Sequence, residues 1–503
     1  MSDQSKRPHP LGDPEYRGPE RRRDIWEGDT PTAPMPIVDR LRHTPYRIRR
    51  QTDLPSMEAE TSAAGEAIDI ALRLGELMLR CGAAAAKVET AIVAVGASAG
   101  LQRLDVDITL QSLLMQCVLS DGTTITRLRV VQGARQDFAR LDAIHRLVDQ
   151  IVREGWDAQA ARDELRRIQI HRRNFPEWVV LLATGAVAGA VAFMLGAGAV
   201  ATVIALLSGI SVHRSTRFLG DHGYPQFYQM AFGALLATVI AWTAFVVGVQ
   251  TPLPLSGADF AYMVAGGIVV LLPGRATAAA VEDVISGYQV TGAGRMFAVI
   301  LNTSGLIIGV GSALTVTFAI AGLFDGTFVS PEILDLRSFA SPTVPAVIGA
   351  LFLGYFAAMG AQSRRRVLVP IALLCVIGVL ISRALTEVAG LGITIASGVA
   401  AAAIGILGRL LATRYESLPM TIIVPASFGL LPGLAIFRGL YEMTAANPGV
   451  GVLSVQSGMT TLLGAFATLL AIATGTMLGE IMMGPVGHRL SRARWDKRRR
   501  RQG

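Results

Sequence analysis

The sequence predicts a polytopic α-helical membrane protein of about ten transmembrane helices, arranged as inverted five-span repeats, with an N-terminal α+β cytoplasmic domain in front of them. Three observations carry this reading. Hydrophobic residues fill 51% of the 503 positions and charged residues only 17%, which is too apolar for a soluble chain of this length. The apolarity is also segregated. Ionisable groups crowd the part before Glu177, and the remainder is a succession of Ala, Gly, Leu, Val and Ile runs, each long enough to cross about 30 Å of hydrocarbon. Finally, Leu271-Leu272-Pro273-Gly274 recurs five predicted spans later as Leu430-Leu431-Pro432-Gly433.

Residues 1–60 are rich in Pro, Arg, Asp and Glu with no periodic apolar pattern, and are expected to form a disordered tail. A folded cytoplasmic domain is expected over 61–172. Ile70, Leu74, Leu77 and Met78 recur at helical spacing, and a second helix is expected over 84–99. Three strands follow near 101–108, 110–119 and 123–131, with Asp121-Gly122 marking a two-residue hairpin turn between the last two. Two polar amphipathic helices, 135–153 and 157–171, then lead to the membrane.

Spans are expected at 177–196, 198–213, 228–249, 260–280 and 296–321, and again at 342–361, 367–387, 391–411, 418–437 and 457–482. They divide into a first half, 173–322, an external linker, 323–341, containing Asp325, Glu332 and Asp335, a second half, 342–485, and a basic cytoplasmic tail, 486–503. The arginines test this count independently of hydropathy. Arg214, Arg217, Arg275, Arg295, Arg364, Arg365, Arg366, Arg409 and Arg414 fall on the side of the N-terminal domain, and only Arg337 and Arg438 fall in opposite loops. This asymmetry predicts a multi-pass protein of the inner (plasma) membrane with both termini cytoplasmic.

The net charge of +8 resides largely in arginine-rich ends such as Arg21-Arg22-Arg23 and Arg498 to Arg501. With no aromatic-interleaved module beside them, these are expected to meet anionic membrane lipids and no nucleic acid. Cys81, Cys117 and Cys375 form no CxxC pair, so neither a disulfide framework nor a metal is expected, and no cofactor. The polar, proline-containing start has no apolar core, so no cleavable signal peptide is expected.

Because five is odd, the second copy of the Leu-Leu-Pro-Gly sequence enters the membrane with opposite orientation. Transporters built from such repeats bind substrate between the halves and alternate access by moving one against the other. Proline removes a donor and glycine tolerates unusual dihedrals, so each break frees backbone groups at membrane depth. Such backbone is tolerated only against protein or a water-filled cavity.

Pro273, Gly274, Pro432 and Gly433, with Thr277, Asn302 and Ser427, are therefore the candidate translocation residues. Ser286, Thr303 and Ser304 are further hydroxyl-bearing candidates, although any of these small residues also serves close helix packing. Asp283, Glu282 and Glu442 are the candidate proton-coupling carboxylates, because a partly buried carboxyl with a raised pKa can exchange protons. Glu387, Arg383, Glu480 and His213 lie near span ends, where charges also snorkel to water.

This arrangement resembles the threonine/serine exporter family, over about 65–485. The soluble part of the resemblance rests on Gly75-Glu76-Leu77-Met78-Leu79-Arg80-Cys81-Gly82-Ala83, on Lys87-Val88-Glu89 and on the Ser120-Asp121-Gly122-Thr123 turn. The membrane part rests on Pro273-Gly274, Asp283-Val284-Ile285-Ser286-Gly287, Gly292 to Arg295, Leu431-Pro432-Gly433 and Arg438. Gly75, Gly82, Lys87 and Glu89 are the residues of the cytoplasmic motif. Lys87 stands where the family often has arginine, which keeps the charge and loses the bidentate geometry. The resemblance implies export of small amino acids, threonine and serine, driven by protons. A homo-oligomer is compatible with it.

Two other readings compete. The first takes Glu76, Lys87, Glu89, Asp105, Asp107 and His145 as the site of a membrane-tethered hydrolase in the cytoplasmic domain, but no nucleophile elbow, HExxH or phosphate loop accompanies them, and no enzyme is expected. A membrane channel or scaffold would not need two mirrored breaks. In the transporter reading the domain gates the inner entrance or mediates assembly.

Overall fold

The computed structural model describes residues 57–131, 133, 137–171, 173–251, 254–323, 343–444 and 455–502. The expected disordered tail up to residue 56 and the acidic linker from residue 324, with Asp325, Glu332, Asp335 and Arg337, lie outside the described residues.

The N-terminal part is an α+β unit. Helices α1 (Met57–Arg80) and α2 (Ala85–Ser98) precede β1 (Arg103–Thr109), β2 (Ser112–Val118) and β3 (Thr124–Val130), and α3 (Phe138–Glu154) and α4 (Ala158–Ile170) follow. The strands form an antiparallel sheet in the order β1-β2-β3, with Val106 opposite Met115 and Leu114 opposite Leu128. Leu113, Met115 and Cys117 alternate inward along β2 onto Ile68, Leu74, Met78 and Ile92, the period-2 pattern of a half-buried strand.

The β2–β3 connection differs from the expected two-residue turn. Leu119 N–H donates to the Thr123 carbonyl, so the loop holds three residues, Ser120 to Gly122, with Gly122 in the left-handed region at φ 85°. The Asp121 carboxylate accepts from both the amide and the hydroxyl of Thr123, and these bonds fix the loop and lower the Asp121 pKa.

Eight helices among the described residues are long and apolar enough to cross a membrane, and two bent helix pairs bring the number to ten when each pair is counted as one span. In chain order they are α5 (Glu177–Leu195), α6 (Ala199–Asp221), α7 (Gln226–Gln250), the pair α8 (Gly257–Val269) and α9 (Gly274–Ile285), and α10 (Gln289–Leu323). Then come α11 (Thr343–Gly360), α12 (Leu368–Glu387), α13 (Ile393–Tyr415), the pair α14 (Pro419–Ala426) and α15 (Gly433–Thr444), and α16 (Val455–Gln502). The expected tail 486–503 is thus, up to Gln502, a continuation of the last helix. Arg438, expected in an external loop, sits inside α15, because helix resumes directly after the second Pro-Gly break.

The same neighbours pack in both sets of five. The third span lies on the fifth (α7 on α10, α13 on α16), and the first lies on the second (α5 on α6, α11 on α12). Glycines permit the closest crossings. Gly305 and Gly309 of α10 rest on the backbone carbonyls of Phe227 and Ala231, and Gly475 and Gly479 of α16 rest on those of Gly398 and Ala402. Each is a Gly-xxx-Gly pair, which lets helix backbones approach where a larger side chain would hold them apart.

The N-terminal domain does not stand apart from the membrane part. One continuous buried cluster holds Phe138, Leu141 and Ile144 together with Ala361, Leu418, Met420 and Val424. Main-chain bonds reinforce it: Phe138 N–H donates to the Ala361 carbonyl and Ala139 N–H to that of Gln362, each at 3.1 Å. The Gln362 side chain is itself fixed by donating to and accepting from the Phe175 backbone, at 2.8 and 3.0 Å.

Candidate translocation site

Proline explains both breaks. Pro273 and Pro432 supply no amide hydrogen to the turns before them, so α8 ends at Val269 and α14 gives way to a short 3-10 turn, Ser427–Leu430. Helix restarts at the following glycine, bent by 52° in the first pair and 44° in the second.

The two breaks lie against each other reciprocally. A β-carbon on Gly274 would stand 3.1 Å from Leu431 Cδ2, and one on Gly433 would stand 3.9 Å from Leu272 Cδ1. Gly274 therefore faces Leu431, and Gly433 faces the end of α8 at Ala265 and Val269 with Leu272 beside them. The flanking helices follow the same rule: α8 packs on α15 and α9 on α14, while α9 also packs on α16 and α15 on α10.

Beside this crossing lies a cavity of about 20 Å³, lined by Gly274, Ala278, Ser427, Phe428, Leu431 and Thr476 among others. It has room for about one water molecule, far less than an amino acid needs. Ser427 lines it, with its hydroxyl donating to the Val424 carbonyl at 2.8 Å. Thr277 is buried and its hydroxyl donates to the Pro273 carbonyl at 3.0 Å, so it secures the first turn of α9. Asn302 is half-buried on α10 and is not among the lining residues. Thr303 and Ser304 donate to carbonyls one turn back in their own helix, and Ser286 ends α9.

The carboxylates separate into two places. Glu442 is buried in α15, 2.8 Å from Arg438 Nε, and accepts from the Thr461 hydroxyl at 3.1 Å. Glu282 and Asp283, by contrast, meet the N-terminal domain at the end of α9. Asp283 is fully buried: one oxygen accepts from the Ala85 backbone N–H at 2.6 Å, and the other lies 2.5 Å from Arg295 of α10. Ala85 is the first residue of α2, whose N-cap position is Ala84 and has no side-chain acceptor. Asp283 thus supplies from α9 the capping group that α2 lacks, with a favourable charge at the helix N-terminus.

Glu282 pairs with Lys87 of α2 at 2.9 Å, and Lys87 also lies 3.1 Å from Glu480 of α16, itself 3.5 Å from Arg409 of α13. Burial alone would lower the Lys87 pKa, but the two carboxylates outweigh it and hold the ammonium charged above its ordinary range. Two residues on, Glu89 accepts from the Tyr288 hydroxyl. Lower down, Thr291 accepts from Leu110 N–H and donates to the Ile108 carbonyl, joining the β1–β2 turn to α10.

The motif glycines follow from the same geometry. Gly82 takes φ 90° and closes α1: its N–H bonds the Leu79 carbonyl and that of Ala83 bonds Met78, a Schellman ending. A β-carbon there would stand 2.7 Å from the Arg275 guanidinium of α9. Gly75 lets α1 cross α2, since a β-carbon would meet Ile92 Cδ1 at 2.5 Å. Cys81 is buried beside them, and burial pushes its thiol up to about 12.

On α3, Asp142 accepts from the Leu418 N–H and the Thr421 hydroxyl at the start of α14, and burial raises its pKa. His145, one turn on, is held down to about 4 by burial and then by the neighbouring cations Arg409, Arg146, Lys87 and Arg153.

The remaining residues of the hydrolase reading do not converge. Glu76 of α1 pairs with Arg129 of β3, and Asp107 accepts from Thr109 in its own strand. Arg383 and Glu387 pair with each other in α12, and His213 is half-buried in α6.

Sequence reasoning missed Ala85, Asp142, Arg295 as a partner of Asp283, and the role of Glu480, since all act through partners far away in the chain. The Gly-xxx-Gly pairs in the fifth span of each half were a signal open to it.

The chain is similar over residues 69–317 to the family described as "Putative threonine/serine exporter" and over residues 344–482 to the one described as "Threonine/Serine exporter". A "Probable threonine/serine exporter" of Mycobacterium tuberculosis is 28% identical over 83% of this chain and 77% of its own. A "Threonine/serine exporter" of Corynebacterium glutamicum is 27% identical over 82% and 81%. No solved structure matches.

Proposed function

We propose, from the premise that the chain belongs to the threonine/serine exporter family, that it is a secondary transporter exporting small hydroxy amino acids such as threonine and serine from the cytoplasm. The observation that carries this reading is the reciprocal packing of two broken spans, Gly274 against Leu431 and Gly433 against Leu272. Discontinuous spans meeting between two repeat halves are where transporters of inverted-repeat build place their substrate site. A zwitterion suits the site: backbone groups near the breaks hold its ammonium, and the N-terminus of α9 or α15 holds its carboxylate.

The small cavity and the docked domain support a closed conformation, with the domain covering the inner face. In this reading the domain is cytoplasmic and the protein lies in the inner membrane, both termini inside, as the arginine distribution favours. Coupling to protons runs through Asp283. A proton on its carboxylate removes the charge facing Arg295 and weakens the cap on α2, so protonation and release of the domain are linked. The candidate hydrolase residues serve docking and surface pairing, which favours transport over catalysis.

The deciding experiment is uptake and efflux of labelled threonine and serine by proteoliposomes under an imposed pH gradient. Gradient-dependent flux of both is expected. Flux of ions alone, or amino-acid flux indifferent to the gradient, would overturn coupled export.

A further inference from the structure

The contacts between the cytoplasmic domain and the membrane part are not equivalent. Asp283, Tyr288 and Thr291 tie the domain to α9 and α10, which belong to the first five spans. Asp142, Phe138 and Ala139 tie it to the start of α14 and to the carbonyls of residues 361 and 362, which belong to the last five. Lys87 joins both sets through a single atom. Its Nζ lies 2.9 Å from Glu282 of α9 and 3.1 Å from Glu480 of α16.

The three side chains retain 19–20% exposure. The charges around them balance. Arg409 faces Glu480, and Arg295 faces Asp283 one residue from Glu282. A compact ammonium with rotatable donors suits this position, because it satisfies two carboxylates that approach from different helices.

We infer that Lys87 is the latch of the inner gate: its ammonium clasps α9 to α16 while the cytoplasmic side is closed, and that clasp is broken, with at least one of its two ion pairs lost, when that side opens to load substrate. The inference rests on the transporter reading above and adds the residue that positions the two halves. Opening separates Glu282 from Glu480, so the lysine can keep at most one of them. Removing the ammonium therefore raises the fraction of molecules open to the cytoplasm. The apparent affinity for cytoplasmic substrate improves by the same factor, about tenfold if the latch keeps only a tenth of the molecules open. Reorientation of loaded protein slows, because that step needs the inner side to close.

The test uses the full chain in oriented proteoliposomes, with Cys117→Ala and Cys375→Ala so that Cys81 is the remaining thiol. Cys81 is 3% exposed, beside the Gly82 face that Arg275 covers, and reports undocking by its rate of maleimide alkylation. Lys87→Met is expected to raise that rate about tenfold, to lower KM for cytoplasmic threonine by a similar factor and to lower the maximal rate. Lys87→Arg is expected to restore most of each change. A lower maximal rate with KM and alkylation unchanged would mean mere loss of folded protein and would overturn the latch. If Lys87→Met does not fold, Glu480→Gln removes one of the two pairs and must shift alkylation and KM in the same directions by less; no shift overturns the inference. Absence of threonine and serine flux in the parent protein would remove the cargo reading, while Cys81 alkylation would still decide the latch.

Discussion

The buried carboxylate of Asp283, in α9, caps the N-terminus of α2 through the backbone N–H of Ala85, 198 positions earlier in the chain. The same carboxylate neutralises Arg295. A residue chosen from the sequence as a proton carrier is therefore also the joint between domain and membrane. Asp283→Asn is expected to abolish gradient-driven flux while leaving a folded protein, since the amide oxygen still accepts from Ala85. Asp283→Ala removes the acceptor as well and is expected to lower stability by about 3 kcal/mol, as for a buried pair broken on one side. Flux assays beside thermal melts in detergent separate the two, and unchanged coupled flux in Asp283→Asn would remove the residue from the coupling step.

Gly82→Ala is expected to cost about 1–2 kcal/mol from the left-handed backbone alone. It also pushes the new methyl onto the Arg275 guanidinium. Faster alkylation of Cys81 and a lower melting temperature should appear together. A melt equal to that of the parent would contradict the assigned φ of 90°.

His145 gives a pH dependence with a definite sign. Its pKa falls from 6.5 to about 4 in the folded protein, so between these values the unfolded chain binds more protons and stability declines as pH falls. Asp142, whose pKa is raised, acts in the opposite sense. The informative quantity is thus the difference between the parent and His145→Gln. That difference should shrink on acidification from pH 7 to 4, by an amount on the order of 3 kcal/mol. Parallel stability curves for the two proteins would refute the shift.

Gly479→Val, and separately Gly309→Val, should each part a fifth span from its third, because the added atoms meet the carbonyls of Ala402 and Ala231. A loss of about 1–3 kcal/mol is expected for overpacking of this kind. Gly464→Val on α16, where a β-carbon meets nothing within 4 Å, is the control and should be close to neutral.

Gly274→Leu should reduce flux at least tenfold without preventing insertion, since a bulky side chain meets Leu431 at the crossing of the breaks. Gly433→Ala meets only ordinary contacts at 3.5 Å and beyond, and should retain most of the activity. Equal effects of the two would argue against the crossing as the moving part.

Much of the fold was legible in the sequence because hydropathy and arginine placement are local signals. Most spans begin and end close to their expected limits, but α6 runs on to Asp221, α9 to Ile285, α15 to Thr444 and α16 to Gln502, and α10 begins earlier, at Gln289, because polar residues continue a helix beyond the apolar run. The Pro-Gly breaks were legible because proline acts on its own turn. The candidate site was legible only in part. Thr277 and Ser427 were recognised as polar residues at depth, yet their hydroxyls serve their own helices. Glu282 and Asp283 were recognised as costly charges, but their partners Lys87, Ala85 and Arg295 come from other elements, and no periodicity encodes such pairs. The Asp121-Gly122 turn was located correctly, but its length was set by the Leu119–Thr123 pairing.

The long reach of the Asp283 cap has a consequence for biogenesis. At about 5–20 residues per second, the ribosome finishes α2 some 10–40 s before it makes the carboxylate that will cap it, and Glu480 arrives later still. The nascent domain must therefore wait with its α2 amides facing water. Quality control has a window in which it meets a domain that is complete in sequence and still undocked, and a chain stalled between α4 and α9 would present that same surface to proteases.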